Sequence, residues 1–288
     1  MKNNAILRII IWSIVIVLLL GLLAGALGYS QFKRNRRSEV TPDSTRNTQD
    51  GRENTVQYDA SEIRSLNIQW AAGNITIQPD ADIDTIQISE RSVENSKHQT
   101  VYKKTGGTLT IQFSQDSIVG FGISIRDNLK KDLTILVPEG WECDKLEVEA
   151  ASANLFLSDL TIRDMEFDGA SGIAEYHNCI LDSLDIDTAS GDIHFHGSLH
   201  TLDIDAASAS FYGDLLTTPD RIDMDSMSGN LELTLPEQTG FIVHLDGLST
   251  DFSSDFETIT RNDSHIFGDG KCEINVDAMS GDVKILRK

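Results

Sequence analysis

This sequence is short of cations, cysteines, prolines and aromatic rings, and the shortages exclude several functions. Its 288 residues carry 24 Lys/Arg against 45 Asp/Glu, a formal net charge of −21. Residues 1–58 hold eight of the basic and four of the acidic residues, which leaves 16 basic and 41 acidic residues in 59–288, a net of −25. Nucleic acid and anionic lipid are held through clustered Lys/Arg. Such a surface repels both, and no nucleic-acid partner is expected. The three cysteines, Cys143, Cys179 and Cys272, lie far apart without a CxxC pair. Zinc-ribbon and thioredoxin-like chemistry is therefore excluded, and the cysteines are expected in the core. No cysteine follows the N-terminal apolar run, so a lipoprotein anchor is not expected either. The chain also lacks a nucleophile elbow, a P-loop and an HExxH motif. What it has is a 40% apolar content, enough for a packed core.

One long charge-free run is present. Ile9 to Leu27, "IIIWSIVIVLLLGLLAGAL", would span about 28 Å as a helix, close to the hydrocarbon thickness of a bilayer. Trp12 and Tyr29 flank it at interface positions. The run predicts a single transmembrane anchor over 9–29 after a short tail, 1–8, with the bilayer as its partner. A cleaved signal peptide is the competing reading, since Ala24-Gly25-Ala26 has the small-x-small form. Lys33, Arg34, Arg36 and Arg37 follow the run, while Lys2 and Arg8 precede it. By the positive-inside rule that balance places the C-terminal part in the cytoplasm. Residues 30–58 read as this basic flank and a polar linker, and 59–288 as the folded part.

The second half repeats itself. "KLEVEAASANLFL", "DMEFDGASGIAEY", "SLDIDTASGDIHF", "TLDIDAASASFY" and "RIDMDSMSGNLEL" align on Ser152, Ser171, Ser190, Ser208 and Ser228, spaced by 19, 19, 18 and 20 residues. Looser copies surround Gly73, Ser249 and Ser280. A fixed period near twenty means stacked, similar units. In the third copy Leu184 and Ile186 alternate with Asp185 and Asp187, and Ile193 and Phe195 alternate with His194 and His196. Each unit is thus two half-buried strands about a small-residue corner. Asp or Asn after the corner is expected to bond local backbone groups. Stacked copies would pair as parallel strands roughly 4.8 Å apart. The expected fold is an all-β parallel β-solenoid with 19–20-residue repeats, with a β-sandwich as the alternative for the irregular first half.

The "ASGDI", "MSGNLEL" and "MSGDVKI" corners, the "VPEG" and "LPEQTG" junctions and the N-terminal anchor together resemble the bacterial putative-adhesin family, a domain of unknown function with β-strand repeats. The resemblance covers roughly residues 60–288. It implies a parallel β-helix-like domain on a cell-envelope protein, outside the cytoplasm, against the direction of the basic flank. The family has no established catalytic residues, so none carries over.

Alignment of the copies puts carboxylates in two outward columns: Glu147, Glu166, Asp185, Asp203 and Asp223, and Glu149, Asp168, Asp187, Asp205 and Asp225. Two unit charges ~5 Å apart in water repel by roughly 0.8 kcal/mol. Eight such neighbours reach about 6–7 kcal/mol before salt screening. A solvated face, Ca²⁺ bridging of successive rungs and a cationic partner surface are the three readings. Neither a GGxGxD repeat nor an EF-hand loop is present to support Ca²⁺. A second set, His177, His194, His196 and Glu175, falls on adjacent rungs and is a candidate zinc site. No other cofactor is expected.

The function these features point to is a non-enzymatic, membrane-anchored envelope interaction protein, adhesin-like, with an unknown protein or cell-surface partner. The alternatives are a membrane-tethered regulatory module facing the cytoplasm and a β-helix carbohydrate-active enzyme. Few Lys/Arg to hold an anionic polymer, and few outward aromatics to stack on sugars, count against the enzyme.

Overall fold

The computed structural model describes residues 53–92, 99–114, 130–262 and 264–288. The expected anchor over 9–29 lies outside them. Among the described residues no helix is long and apolar enough to cross a membrane, and one 3₁₀ turn, Ala60–Glu62, is the only helical piece. The rest is β: β1 (Glu53–Asp59), β2 (Ser65–Asp80), β3 (Thr85–Ser92), β4 (Val101–Thr105), β5 (Thr108–Gln112), β6 (Lys131–Pro138) and β7 (Glu142–Ser158). The series continues with β8 (Thr161–Leu215), β9 (Arg221–Ser228), β10 (Leu231–Leu235), β11 (Phe241–Ser254), β12 (Ile259–Arg261), β13 (Ser264–Phe267) and β14 (Cys272–Arg287).

The main path through the sheet runs β1-β3-β6-β2-β7-β8-β10-β14-β11-β13-β12. Its central pairs are parallel: Glu147 pairs with Glu166, nineteen residues on, and Thr201 with Arg221, twenty on. In and just before the long β8 (Thr161–Leu215), successive coils are tied together at the same spacing. Asn178 Nδ2 donates to Asp159 Oδ1 at 2.7 Å, Ser183 Oγ to Asp164 Oδ1 at 3.1 Å and Ile180 N to Leu160 O at 2.9 Å. The fold is solenoid-like. Its core forms because the alternate positions of every rung face inward: Leu184, Ile186, Ile193 and Phe195 are all buried, as are Leu146, Val148, Leu202, Ile204, Ile222 and Met224. Burying one such side chain is worth about 1.5–3 kcal/mol, most of it realised only when another rung lies above and below.

The corners explain the refrain. At Gly191 the backbone takes φ +143°, and a Cβ there would meet the carbonyl oxygen of Gly172, on the preceding rung, at 2.1 Å. Gly281 stands in the same relation to Gly229. Backbones therefore touch at these two corners, and glycine, which accepts the positive φ, allows it there. The expectation of local bonding by the residue after the corner needs correction, because these side chains reach across rungs. Asn154 Oδ1 accepts from the backbone N–H of Ile173 at 3.1 Å, and Asn230 Oδ1 accepts from that of Asp282 at 3.0 Å.

Three further differences lie at the two ends. The irregular first half is no separate sandwich. β2 stacks directly on β7, Ser65 pairing with Lys145, and the residues between them form an excursion that packs β5, β6 and β3 beyond β2, with β1, from before β2, pairing on β3. At the other end β14 slips between β9/β10 and β11, so the corner serines stack as Ser228, Ser280, Ser249 rather than in chain order. β1 begins at Glu53, inside the stretch assigned to the linker. Val56 is buried, and the whole strand pairs antiparallel with β3, a partner about 30 residues away that the local pattern does not announce.

Candidate functional site

The two acidic columns lie on the outward face of the first arm of each rung. In the first, Asn67 pairs with Glu147, Glu147 with Glu166, and Asp203 with Asp223, which pairs in turn with Asn275. Cations guard both its ends. Lys145 Nζ lies 2.6 Å from Glu166 and 3.9 Å from Glu147, Arg221 pairs with Asp223, and Asn275 Nδ2 donates to Asp223 at 2.8 Å.

The second column is arranged differently. Its rungs read Gln69, Glu149, Asp168, then Asp187, Asp205, Asp225, Asp277 and Asp246. Among the described residues no ion pair reaches Glu149, Asp168, Asp187, Asp205 or Asp225; Gln69 Nε2 donates to Glu149 at 3.3 Å. Partial burial between rungs, then the like charge of the next rung, pushes the Asp168, Asp187 and Asp225 carboxyls up to about 6. Glu149, Asp205 and Asp277 move the same way, burial again first. In the first column Asp185 and Asp203 are also raised by burial and then by the neighbouring acid. Sequence reasoning had all ten of these acids but omitted Asp277 and Asp246. They sit in the looser copies "INVDAMSGD" and "LDGLSTD", whose alignment to the others was the available signal. A groove of about 390 Å³ opens on this face, lined by Asp203, Asp223, Asp225, Asp246 and Asp277 among others.

The histidine set lies on the outward face of the second arm. His177 and His196 stack, ring centroids 5.4 Å apart at 21°, while His194 stacks on Tyr212 at 5.0 Å and 11°. Glu175 lines the same groove, of about 360 Å³, with Asp214 and Glu232. His196 Nε2 is 3.8 Å from Asp214, which Lys288 holds at 2.8 Å. The three histidines of the expected zinc set are therefore divided between two ring stacks, and Glu175 belongs to neither. Among the described residues no group of three or more His, Cys, Asp or Glu is arranged to hold a metal ion.

One buried charge escaped the sequence. Lys131 opens β6 with its side chain 2% exposed, 3.2 Å from Glu90 and 2.6 Å from the carbonyl of Phe113, over the rings of Trp70 and Phe113. Burial lowers its pKa, and Glu90 opposes that. A lysine in "NLKKDLTIL" gives no local sign that the excursion will close over it. The cysteines are free and buried, and burial raises the Cys143 and Cys272 thiols to about 12 and Cys179 to about 11. Such thiols are inert.

Residues 63–286, which hold these stacked rungs, match the family model Toastrack DUF4097. The chain belongs to the Toastrack DUF4097 family. No curated protein matches it. Among solved structures, a putative adhesin from Bacteroides fragilis is 14% identical, with a TM-score of 0.51 over 82% of this chain and 98% of that one. A putative adhesin from Parabacteroides distasonis is 10% identical, TM-score 0.44, over 82% and 98%. A putative cell adhesion protein from Clostridium sporogenes is 14% identical, TM-score 0.38, over 82% and 99%. For this Toastrack chain, the Bacteroides likeness supports the fold.

Proposed function

We propose that this Toastrack protein is a non-enzymatic interaction module of the cell envelope, anchored by residues 9–29, whose second acidic column receives a cationic partner. The observation that carries the reading is a row of partly buried carboxylates, Glu149, Asp168, Asp187, Asp205 and Asp225, which no ion pair reaches among the described residues. Such a row is electrostatically costly when empty and gains most from an incoming positive surface. A rigid solenoid offers those charges at rung spacing, which suits an extended or repetitive partner. The Bacteroides fragilis neighbour is a putative adhesin, which agrees with an interaction role.

A second reading has its own observation. The basic flank Lys33–Arg37 favours a cytoplasmic solenoid acting as a tethered regulatory module. Protease accessibility of a C-terminal epitope tag separates the two. Loss of the tag in intact cells is the expected result. Protection until permeabilisation would overturn the envelope reading and direct the search to cytoplasmic protein partners.

A further inference from the structure

Four rungs turn the corner with an alanine just before the corner serine: Ala151, Ala170, Ala189 and Ala207. In the last three rungs that residue is Met227, Met279 or Leu248. Met227 and Met279 lie between the register pairs Ser226–Ala278 and Ser228–Ser280, and Leu248 and Met279 between Gly247–Ala278 and Ser249–Ser280. The three side chains therefore hold one position on adjacent rungs, ~4.8 Å apart. Met227 is 41% and Leu248 64% exposed, and Met279 is half-buried. The alanine copies close the same corner, so the fold does not need the larger side chains. Contiguous exposed apolar groups rimmed by polar ones mark interaction surfaces. Acid rims this ridge on both sides. Two residues before each apolar corner stand Asp225, Asp277 and Asp246, register partners in the second column. Three residues after it stand Asn230, Asp282 and Asp251; Asp282 pairs with Asp251, and its backbone N–H donates to Asn230.

We infer that this ridge docks a basic amphipathic helix of a partner protein, laid along the solenoid axis with its apolar stripe on Met227, Met279 and Leu248 and its cations over the flanking acids. The inference rests on the cationic-partner reading above and gives that partner a shape. The charges choose the occupant. A second copy would set its own acid rows against these, and an anionic lipid surface would set phosphates against them; both are repelled. A basic polypeptide is attracted, and its apolar groups cover the ridge. The spacing chooses the conformation. Two rung steps cover about 9.6 Å. Apolar residues at i, i+4 and i+7 of a helix cover about 10.5 Å. Three side chains on one face of a strand would cover about 13 Å and fall out of step with the rungs.

The test is fluorescence anisotropy on the full chain in nanodiscs of zwitterionic phosphatidylcholine, with binding to empty nanodiscs subtracted. One probe is a labelled Leu/Lys/Ala peptide of about 18 residues, long enough to hold a helix, with leucines repeating at i, i+4 and i+7. The other is a Gly/Lys peptide of the same length and charge. The helical peptide should bind roughly tenfold more tightly than the Gly/Lys peptide. Met279→Ser combined with Leu248→Ser should erase that margin and leave Gly/Lys binding unchanged. Asp225→Asn combined with Asp277→Asn should weaken both peptides. An unchanged melting temperature separates lost docking from misfolding, and Leu248→Ser alone, at the exposed tip of the ridge, repeats the test if the double serine variant unfolds. Equal affinities for the two peptides, or a margin that survives the serine variants, would overturn the inference and leave the cationic-partner reading standing. If neither peptide binds, both fall. Self-association, or binding to phosphatidylglycerol vesicles, that the serine variants abolish would give the ridge a different occupant and also overturn the inference.

Discussion

Asp205 and Asp225 are direct partners on neighbouring parallel strands, and among the described residues neither has a cation beside it. Burial and then the Asp205 charge raise the Asp225 carboxyl to about 6, and Asp168 and Asp187 reach the same value. A carboxyl raised on folding makes the native state bind protons more tightly than the unfolded chain. Stability is therefore lost as pH rises from the unfolded value of 3.8 through about 6, and regained on the way down. Acidifying from pH 7.5 to 5.5 should raise the melting temperature. After a heavy discount for solvent, the gain is on the order of 1 kcal/mol, about 2–4 °C. Below pH 4 the trend should reverse as Asp144, held low by Arg64, is protonated. A midpoint that falls steadily from pH 7.5 would contradict this account of the column.

Screening makes a companion prediction. Added salt should raise the midpoint at pH 7.5 by weakening rung-to-rung repulsion. CaCl₂ and NaCl at equal ionic strength should act alike, since no three ligands converge among the described residues. A further rise in CaCl₂ alone would mean that Ca²⁺ bridges successive rungs.

Gly191→Ala should be among the most destabilising single changes. Its Cβ would sit 2.1 Å from the Gly172 oxygen at φ +143°, a loss of about 2–4 kcal/mol by urea titration. At Gly106, φ +61°, nothing lies within 4 Å. Alanine there should cost only about 1 kcal/mol.

Tyr176 is buried, and its hydroxyl has no hydrogen-bond partner among the described residues. An unpaired buried hydroxyl costs about 1–3 kcal/mol, so Tyr176→Phe should stabilise the protein, by about 1 kcal/mol in the same titration.

Lys131→Met leaves the Glu90 carboxylate, 13% exposed, without its lysine. The expected loss is about 3–5 kcal/mol. Adding Glu90→Gln should recover a large part of it. If the double variant is no better than the single, the ion pair is not the source of the loss.

The period of the refrain, the alternation within each strand and the outward acids at Asp185, Asp187, Asp203 and Asp205 were all legible along the chain. Each depends on neighbours two or about nineteen residues away, and a repeated local pattern must form a repeated local unit. Tertiary structure decided what the pattern leaves open: which units touch. β2 meets β7 across eighty residues, and β14 enters between β9/β10 and β11. A looser copy offers similar surfaces to several neighbours, so its place is chosen by packing of the whole. That choice adds Asp277 and Asp246 to the second column and closes the first half over Lys131. The charge of the second column is likewise a tertiary fact. Its acids are written in the sequence, but that Lys145 and Arg221 pair with the first column, Glu166 and Asp223, depends on where the rungs come to lie.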